Sequence, residues 1–334
     1  MGLTVAVTGL TGDIGKPAVR ALEESEEVER IVGMARRPFD PAAQGWKRTE
    51  YQQGDMLDGA SVEALVEGAD VVVHLAFVIF GSHDETRKNN LEGSRNVFEA
   101  AVAAGAKRLV YASSVAAYGF HADNPQPLTE EVEPRGTEGF YYSAQKAELE
   151  ALLEDLLSGS QTEAYVLRPC IVAGPEAPTL IEEIVDMMSI GGALAPAQRL
   201  LESLPVVAPV LPDPGVPFQL VHHDDVATAI RSAALGHGEP GVYNIAAEDP
   251  LTTGDIADAL GWRSIPIPSL AIDAATRLVG AAPLMPARAG WINAFTVPVV
   301  MDCAKARREL GWPPERRARD TLVETVAAAR AADE

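Results

Sequence analysis

Cysteine is scarce: Cys170 and Cys303 are the only two in 334 residues. Neither belongs to a Cys-x-x-Cys pair and two do not make a disulfide framework, so a reducing compartment fits. Basic residues are also short, 27 Lys and Arg against 48 Asp and Glu, giving a formal net charge of −21 at pH 7. A surface that negative repels phosphate backbones and anionic headgroups, which speaks against nucleic-acid and membrane partners. The plain reading of the acidity is solubility. Long apolar runs are missing too. The longest, Val71–Phe80, is too short to span a bilayer. The first residues read as a buried strand, not as a charged stretch leading into an apolar leader, so a soluble cytoplasmic protein is expected. What remains is ordinary globular composition, 47% hydrophobic and 22% charged. It suffices for one large domain or two lobes sharing a core.

The first half alternates in period. LTVAVTG is a β-branched run closed by glycine, and KPAVRALEES has helical spacing with Pro17 tolerated in the first turn. VERIVGMA, DVVVHLA, KRLVYASS and TEAYVLRP read as further strands, separated by helices over ASVEALVEG, over 87–104 and around Leu149, Leu152, Leu153, Leu156 and Leu157. Strands apolar on both sides and alternating with helices predict an α/β fold, a Rossmann-like doubly wound parallel sheet. After Gly174 the rhythm stops. Residues 175–217 are rich in Pro, Met, Leu and Ala, including Met187, Met188, Leu200, Leu201, Val206, Val207 and Leu211. Strand and helix return at about 218–247. The expected division is a nucleotide-binding domain over 1–174 plus that return, with a smaller, mostly C-terminal substrate-binding lobe from 175–217 and 248–334.

The loop TGLTGDIG carries Gly9, Gly12 and Gly15 between the first strand and the first helix. Such a triplet serves a tight turn, a close approach of backbone to a pyrophosphate, and helix-on-strand packing. Phosphates would rest at the positive end of the helix opening near Ile14, against Thr11, Gly12 and Asp13. A triplet alone is weak evidence, but here the whole βαβ unit follows it. The second strand of a dinucleotide site usually ends in an acid that holds the adenosine ribose. Here Ala35 stands there, followed by Arg36 and Arg37. Two guanidiniums suit a 2′-phosphate, which favours NADP(H) over NAD(H). The bland alternative is a solvated loop.

Nine segments in order then carry a family resemblance: TGLTGDIG, GDMLD, VVHLA, NLEGSRN, YASSVAAYG, YSAQK, LRPCIVAGP, VHHDDVA and ARRELGW. Together they identify the chain as similar to the extended short-chain dehydrogenases/reductases of the NAD(P)-dependent epimerase/dehydratase superfamily. Tyr142 and Lys146 lie at i and i+4, on one helix face. A free phenol ionises near about 10 and is a poor base at neutral pH. A neighbouring ammonium and the positive nicotinamide ring both favour phenolate, so Tyr142 is expected to have a lowered pKa and to act as acid/base during hydride transfer. The resemblance further implies that Ser114 orients the substrate oxygen, with Ser113 as the alternative, and that Lys146 holds the nicotinamide ribose. It implies adenine contacts for Asp55 and Met56, cleft positions for Leu75 and Ala76, and support from Asn90. Pro169, Ile171 and Val172 would pass the nicotinamide, and Arg168 would be structural. Relatives commonly dimerise through two helices per subunit, here 87–104 and 142–157.

Other chemistry-bearing residues invite plainer readings. His222, His223, Asp224 and Asp225 resemble metal-ligand material, but adjacent residues at a strand end rarely converge on one ion, so no metal is expected. His74 reads as a satisfied core histidine, and His83, Asp84 and Glu85 as a solvated loop. Departures from the family narrow the reaction. Sugar dehydratases place Asp-Glu after the catalytic hydroxyl residue, where this chain has Val115 and Ala116. Hexose epimerases carry an Asn soon after the LRP-like strand, where this chain has Cys170 and Ile171. The leading expectation is NADPH-dependent reduction of a small, apolar carbonyl compound, or the reverse oxidation. The alternatives are a nucleotide-sugar epimerase that retains its NAD and, against the Tyr-Lys pair, a non-catalytic NADP(H)-sensing regulator.

Overall fold

Seven parallel strands make the central sheet, in the order β10-β6-β5-β4-β1-β2-β3. The computed structural model describes residues 2–177, 210–267 and 297–332. The strands are β1 (Leu3–Thr8), β2 (Val28–Ala35), β3 (Thr49–Gln53), β4 (Val71–His74), β5 (Arg108–Ala112), β6 (Glu163–Pro169) and β10 (Gly241–Ile245). The order reverses between β1 and β4, so a crevice opens at their carboxyl ends, where open α/β sheets bind ligands.

The apolar runs need cover on both faces, and they get it. Val5 and Val7 of β1 point to one side with Val71 and Val73 of β4, while Ala6 and Val72 point to the other. The first side is covered by α1 (Gly15–Glu23) through Ala18, Val19 and Leu22, and by α6 (His223–Leu235) through Val226, Ile230 and Ala233. The second is covered by α2 (Gly59–Val66), α4 (Gly93–Ala103) and α5 (Tyr141–Leu157), through Leu65, Phe98, Leu149 and Leu153. Each Val, Leu, Ile or Phe among them, fully buried, contributes about 1.5–3 kcal/mol. This is the alternation the sequence predicts.

Three departures stand out. The helix expected over 87–104 is broken. A short α3 (His83–Arg87) passes into a π-turn (Lys88–Glu92) before α4 begins. His83, Asp84 and Glu85 therefore form not a loop but the first turn of α3, which the Ser82 side chain caps by accepting from the Glu85 amide. Second, the strand-and-helix return is shared between sheets. β9 (Leu220–His222) pairs with β7 (Ile171–Ala173) in a separate two-stranded sheet, and β10 alone rejoins the central one. Third, β8 (Val210–Asp213) pairs with β11 (Arg263–Pro266). These flanking pieces share a third core of Phe218, Leu220, Leu251, Ile256 and Leu322 with α7 (Thr253–Leu260) and α9 (Ala318–Ala332). Leu211 is buried there as well, so it packs that core. Met187, Met188, Leu200, Leu201, Val206 and Val207 lie outside the described residues. Another short helix, α8 (Ala304–Glu309), packs beside β10.

Candidate active site

A cavity of about 400 Å3 opens at the carboxyl ends of β1, β4, β5 and β6. Its floor is the glycine loop. Gly9 has φ +75°, and a Cβ there would stand 2.7 Å from the Ala76 amide nitrogen. A Cβ on Gly15 would stand 2.1 Å from the Gly9 carbonyl oxygen. Packing inside the protein thus demands both. Gly12 differs: its virtual Cβ meets only the Gly9 oxygen, at 3.5 Å, and it faces the cavity. Protein packing does not require glycine there, whereas a ligand lying against the loop would. Gly15 opens α1, whose first turn holds no acid, so its amides and dipole face the cavity end of the loop. Asp13 and Ile14 line the same end. These residues fit a dinucleotide pyrophosphate.

Beneath the loop, the Thr8 hydroxyl accepts from the amides of Leu75 and Ala76, each at 3.3 Å. It also pairs with His74 Nδ1 at 2.7 Å, while His74 Nε2 pairs with Ser94 at 2.8 Å. His74 is fully buried and its pKa is driven down to about 3, first by burial and then by Lys146. It is the satisfied core histidine expected, and it braces the loop against β4.

On the opposite wall the structure brings Ser114, Tyr142 and Lys146 to one cavity. Ser114 caps a 3-10 turn (Val115–Tyr118), its hydroxyl accepting from the Ala116 amide at 3.1 Å, and it also hydrogen-bonds Tyr142. Ser113 lines the cavity too, but its hydroxyl is engaged, donating to the buried Glu150 carboxylate. Geometry therefore selects Ser114 over its neighbour as the partner of the phenol. The electrostatics correct one expectation. Burial raises the Tyr142 pKa, the Ser114 hydrogen bond opposing it. The Lys146 ammonium does not lower it here, because Nζ donates to the Ala112 carbonyl at 2.8 Å and lies 3.9 Å from the centre of the Phe77 ring. Lys146 itself is buried, and desolvation drives its pKa down to about 7 with Glu150 opposing.

The remaining sequence-predicted residues divide. Leu75, Pro169, Ile171 and Val172 line the cavity. Ala76 sits just behind, against Gly9. Asn90 lies on the π-turn and supports the wall from outside. Its side chain accepts from the Val78 amide (2.8 Å) and donates to the Val78 carbonyl (2.9 Å) and Gln145 (2.8 Å). Thr11, Asp55 and Met56 are not part of the cavity wall. Met56 is buried against Gly93, and Asp55 accepts from the Leu57 amide at 3.0 Å. Arg36 and Arg37 are exposed just past β2, and among the described residues neither forms an ion pair. Their backbone is anchored: Gln53 and Tyr51 donate to the Arg36 and Arg37 carbonyls.

The far end of the cavity was not read from the sequence. It is walled by Phe77, Ile79, Phe80, Phe120, Phe218 and Val299, with Cys170 and Gln219. Gln219 offers little to a ligand, because its amide donates to Ala247 and Met301 carbonyls (3.1 and 3.3 Å) and accepts from the Met301 amide (2.8 Å). The signal for Phe77–Phe80 was an apolar run outlasting its strand, which ends at His74. Val299 had no local signal.

The four-residue stretch from His222 to Asp225 is committed elsewhere. His222, His223 and Asp224 bring potential ligand atoms within 4.8 Å of one another. His222 Nδ1 accepts from the Asp224 amide (3.1 Å) as the cap of α6, so a neutral ring carries its proton on Nε2, which faces Glu324 Oε2 at 3.4 Å. His223 pairs with Asp224 and accepts from the Glu176 amide (3.2 Å). Asp224 also takes Arg20 at 2.9 Å. Asp225 accepts from the amides of Glu315 (3.0 Å) and Arg316 (3.2 Å). The cluster joins α1, α6 and the segment before α9.

Comparison with known proteins agrees with this geometry. A sequence model of the NAD dependent epimerase/dehydratase family matches residues 5–246. The chain belongs to that family. Among individual relatives, this family member is 25% identical to the uncharacterized protein y4nG of Sinorhizobium fredii over 330 residues, covering 96% of the chain and 77% of that protein. It is 28% identical over 194 residues to a 2-alkyl-3-oxoalkanoate reductase of Shewanella oneidensis, covering 55% of the chain and 49% of the reductase. Mycobacterium tuberculosis has a longer uncharacterized relative, Rv2047c, of which the chain spans only 27%, at 28% identity. The fold matches a short-chain dehydrogenase/reductase superfamily protein from Agrobacterium tumefaciens solved with bound NAD, with TM-score 0.73, 20% identity and 98% of each chain covered.

Proposed function

We propose that this chain transfers hydride between NADP(H) and the carbonyl or alcohol carbon of a small apolar compound. One observation carries the reading: a single cavity holds the glycine loop, the Ser114–Tyr142–Lys146 group and an aromatic far wall. The nicotinamide cofactor, when bound, supplies or accepts the hydride. Gly12, Ile14 and the opening of α1 would hold its pyrophosphate, and Lys146 its nicotinamide ribose. Ser114 would hold the substrate oxygen. Tyr142 would give that oxygen a proton in reduction and take it back in oxidation. Its raised pKa suits the donor role at neutral pH. Phe77, Phe120, Phe218 and Val299 would exclude water and grip an apolar substituent. No acid follows Ser114 to support elimination, since Val115 and Ala116 stand there. The Shewanella relative is named for reduction of 2-alkyl-3-oxoalkanoates, a ketone beside an alkyl chain, which suits such a wall.

Arg36 and Arg37 are exposed and, among the described residues, form no ion pair, which suits them to meet a 2′-phosphate. Titration of purified protein with NADPH and NADH, followed by nicotinamide fluorescence, tests this. NADPH should bind at least about tenfold tighter, and Arg36→Ala/Arg37→Ala should erase the difference. Equal affinities, or NAD retained through purification, would move the reading to epimerisation, the reaction for which the family is named. We further propose a homodimer, to be tested by light scattering.

A further inference from the structure

Glu150 lies one helical turn beyond Lys146 on α5, and 7% of it is exposed. Its carboxylate takes Arg168 of β6 through Nε (3.0 and 3.2 Å) and Nη2 (2.5 Å). It also accepts the hydroxyl of Ser113, at the end of β5. Arg168 in turn packs on the Tyr118 ring, 4.3 Å from its centre. One carboxylate therefore joins three elements that carry Ser114, Pro169 and Lys146 to the cavity.

We propose that Glu150 is a positioning residue for the active site, the buried counter-ion of the Lys146 ammonium and the latch that holds the ends of β5 and β6 to α5. The inference rests on the reading of Lys146 as an active-site group. An ammonium in this place needs such help. Its close contacts are all neutral: the Ala112 carbonyl at 2.8 Å, the Tyr111 hydroxyl at 3.5 Å and the Phe77 ring. Among the described groups that face it, Tyr142 on α5 and Tyr111 on β5 are held protonated by burial. His74 on β4 is held neutral. Asp13 lies across the cavity, in the glycine loop. Glu150 is the buried full negative charge on Lys146's own helix, and at low dielectric one such charge acts beyond contact distance. Burial alone would release the proton, and Glu150 opposes that release. A side chain present only for packing would not discriminate Glu from Gln. A counter-ion does.

The experiment follows the Lys146 side chain directly. The chain has six lysines, so labelled-lysine NMR resolves Lys146, assigned by its loss in Lys146→Arg. In the unaltered protein its midpoint should fall near pH 7. In Glu150→Gln it should drop by about one pH unit or more, a tenfold loss of proton affinity, and Glu150→Asp should restore most of it. Glu150→Gln strands the Arg168 charge and risks misfolding. Glu150→Gln/Arg168→Gln removes both charges and should show a drop of the same sign but smaller, because the Arg168 cation that also disfavours the ammonium is gone. A folded variant without Glu150 whose Lys146 titrates as before overturns the proposal. The titration needs neither substrate nor cofactor. If the midpoint moves while Tyr142→Phe leaves activity intact, the function reading fails and this inference stands.

Discussion

At one end of the cavity the wall is backbone: Gly9, Gly12 and Gly15, stripped of side chains and backed by Thr8 and His74. At the other it is side chain: Phe77, Phe80, Phe120 and Phe218, with little polar capacity left over. The first surface suits any ligand with a pyrophosphate, because amides and a helix dipole read charge and not identity. The second reads shape and apolarity. On the proposed function, a shared reagent would meet a private substrate across a few residues, Ser114, Tyr142 and Lys146, that belong to neither end. Within one family the first end has little freedom to vary, while the second can be redrawn by changing rings.

That contrast can be broken at its centre first. Tyr142→Phe should reduce turnover by about a thousandfold while leaving NADPH fluorescence titrations as they were. Undiminished turnover would remove the phenol from the chemistry. The backbone end can then be divided. Gly15→Ala forces a methyl into the Gly9 carbonyl and should cost about 1–3 kcal/mol of stability, seen as a lower Tm. Gly12→Ala should leave Tm unchanged and weaken NADPH binding about tenfold. Equal effects on both measurements would mean that Gly12, too, serves packing.

The support under that end should show in acid. Unfolded, His74 takes a proton near pH 6.5; folded, it refuses one until about 3. Its contribution to stability is present above pH 6.5 and is lost as pH falls between those values, by about 1.4 kcal/mol per unit at most. Denaturation from pH 7 to 4.5 should show a shallower loss in His74→Gln than in the unaltered protein, although the variant starts less stable. Identical slopes would contradict the assigned burial. The smallest effect belongs to the side-chain end. Phe120→Ala should raise KM for an apolar ketone by about tenfold, with kcat less affected. A fall in kcat alone would place Phe120 among the residues that position the reaction instead.

What the sequence disclosed follows the range of the physics. Strand and helix periods are local, so the seven-stranded sheet and its two covering layers were readable, as were the glycine loop and the i, i+4 pair of Tyr142 and Lys146. What needed the structure was acquired over distance. Glu150 meets Arg168 18 residues away and Ser113 37 residues away. The Phe77 ring caps Lys146 from another strand's end. The Tyr142 phenol in the chain alone is another such case. Spacing placed an ammonium nearby, but burial and the orientation of Nζ decide what the phenol feels.

The π-turn at Lys88–Glu92 has a consequence for the chain's tolerance of length change. Its bonds span five residues rather than four, so it holds one residue more than an α-helix would over the same turn. Deleting a residue there would let the segment relax into plain α-helix: the helices on either side would keep their relative orientation, while the residues of the turn itself would change place. Asn90 could then no longer grip both amide and carbonyl of Val78 while reaching Gln145. In a plain α-helix the same deletion would rotate one side by about 100° relative to the other. Here it would act locally, unfastening the loop that carries Phe77, Ile79 and Phe80 and so altering the aromatic wall of the cavity.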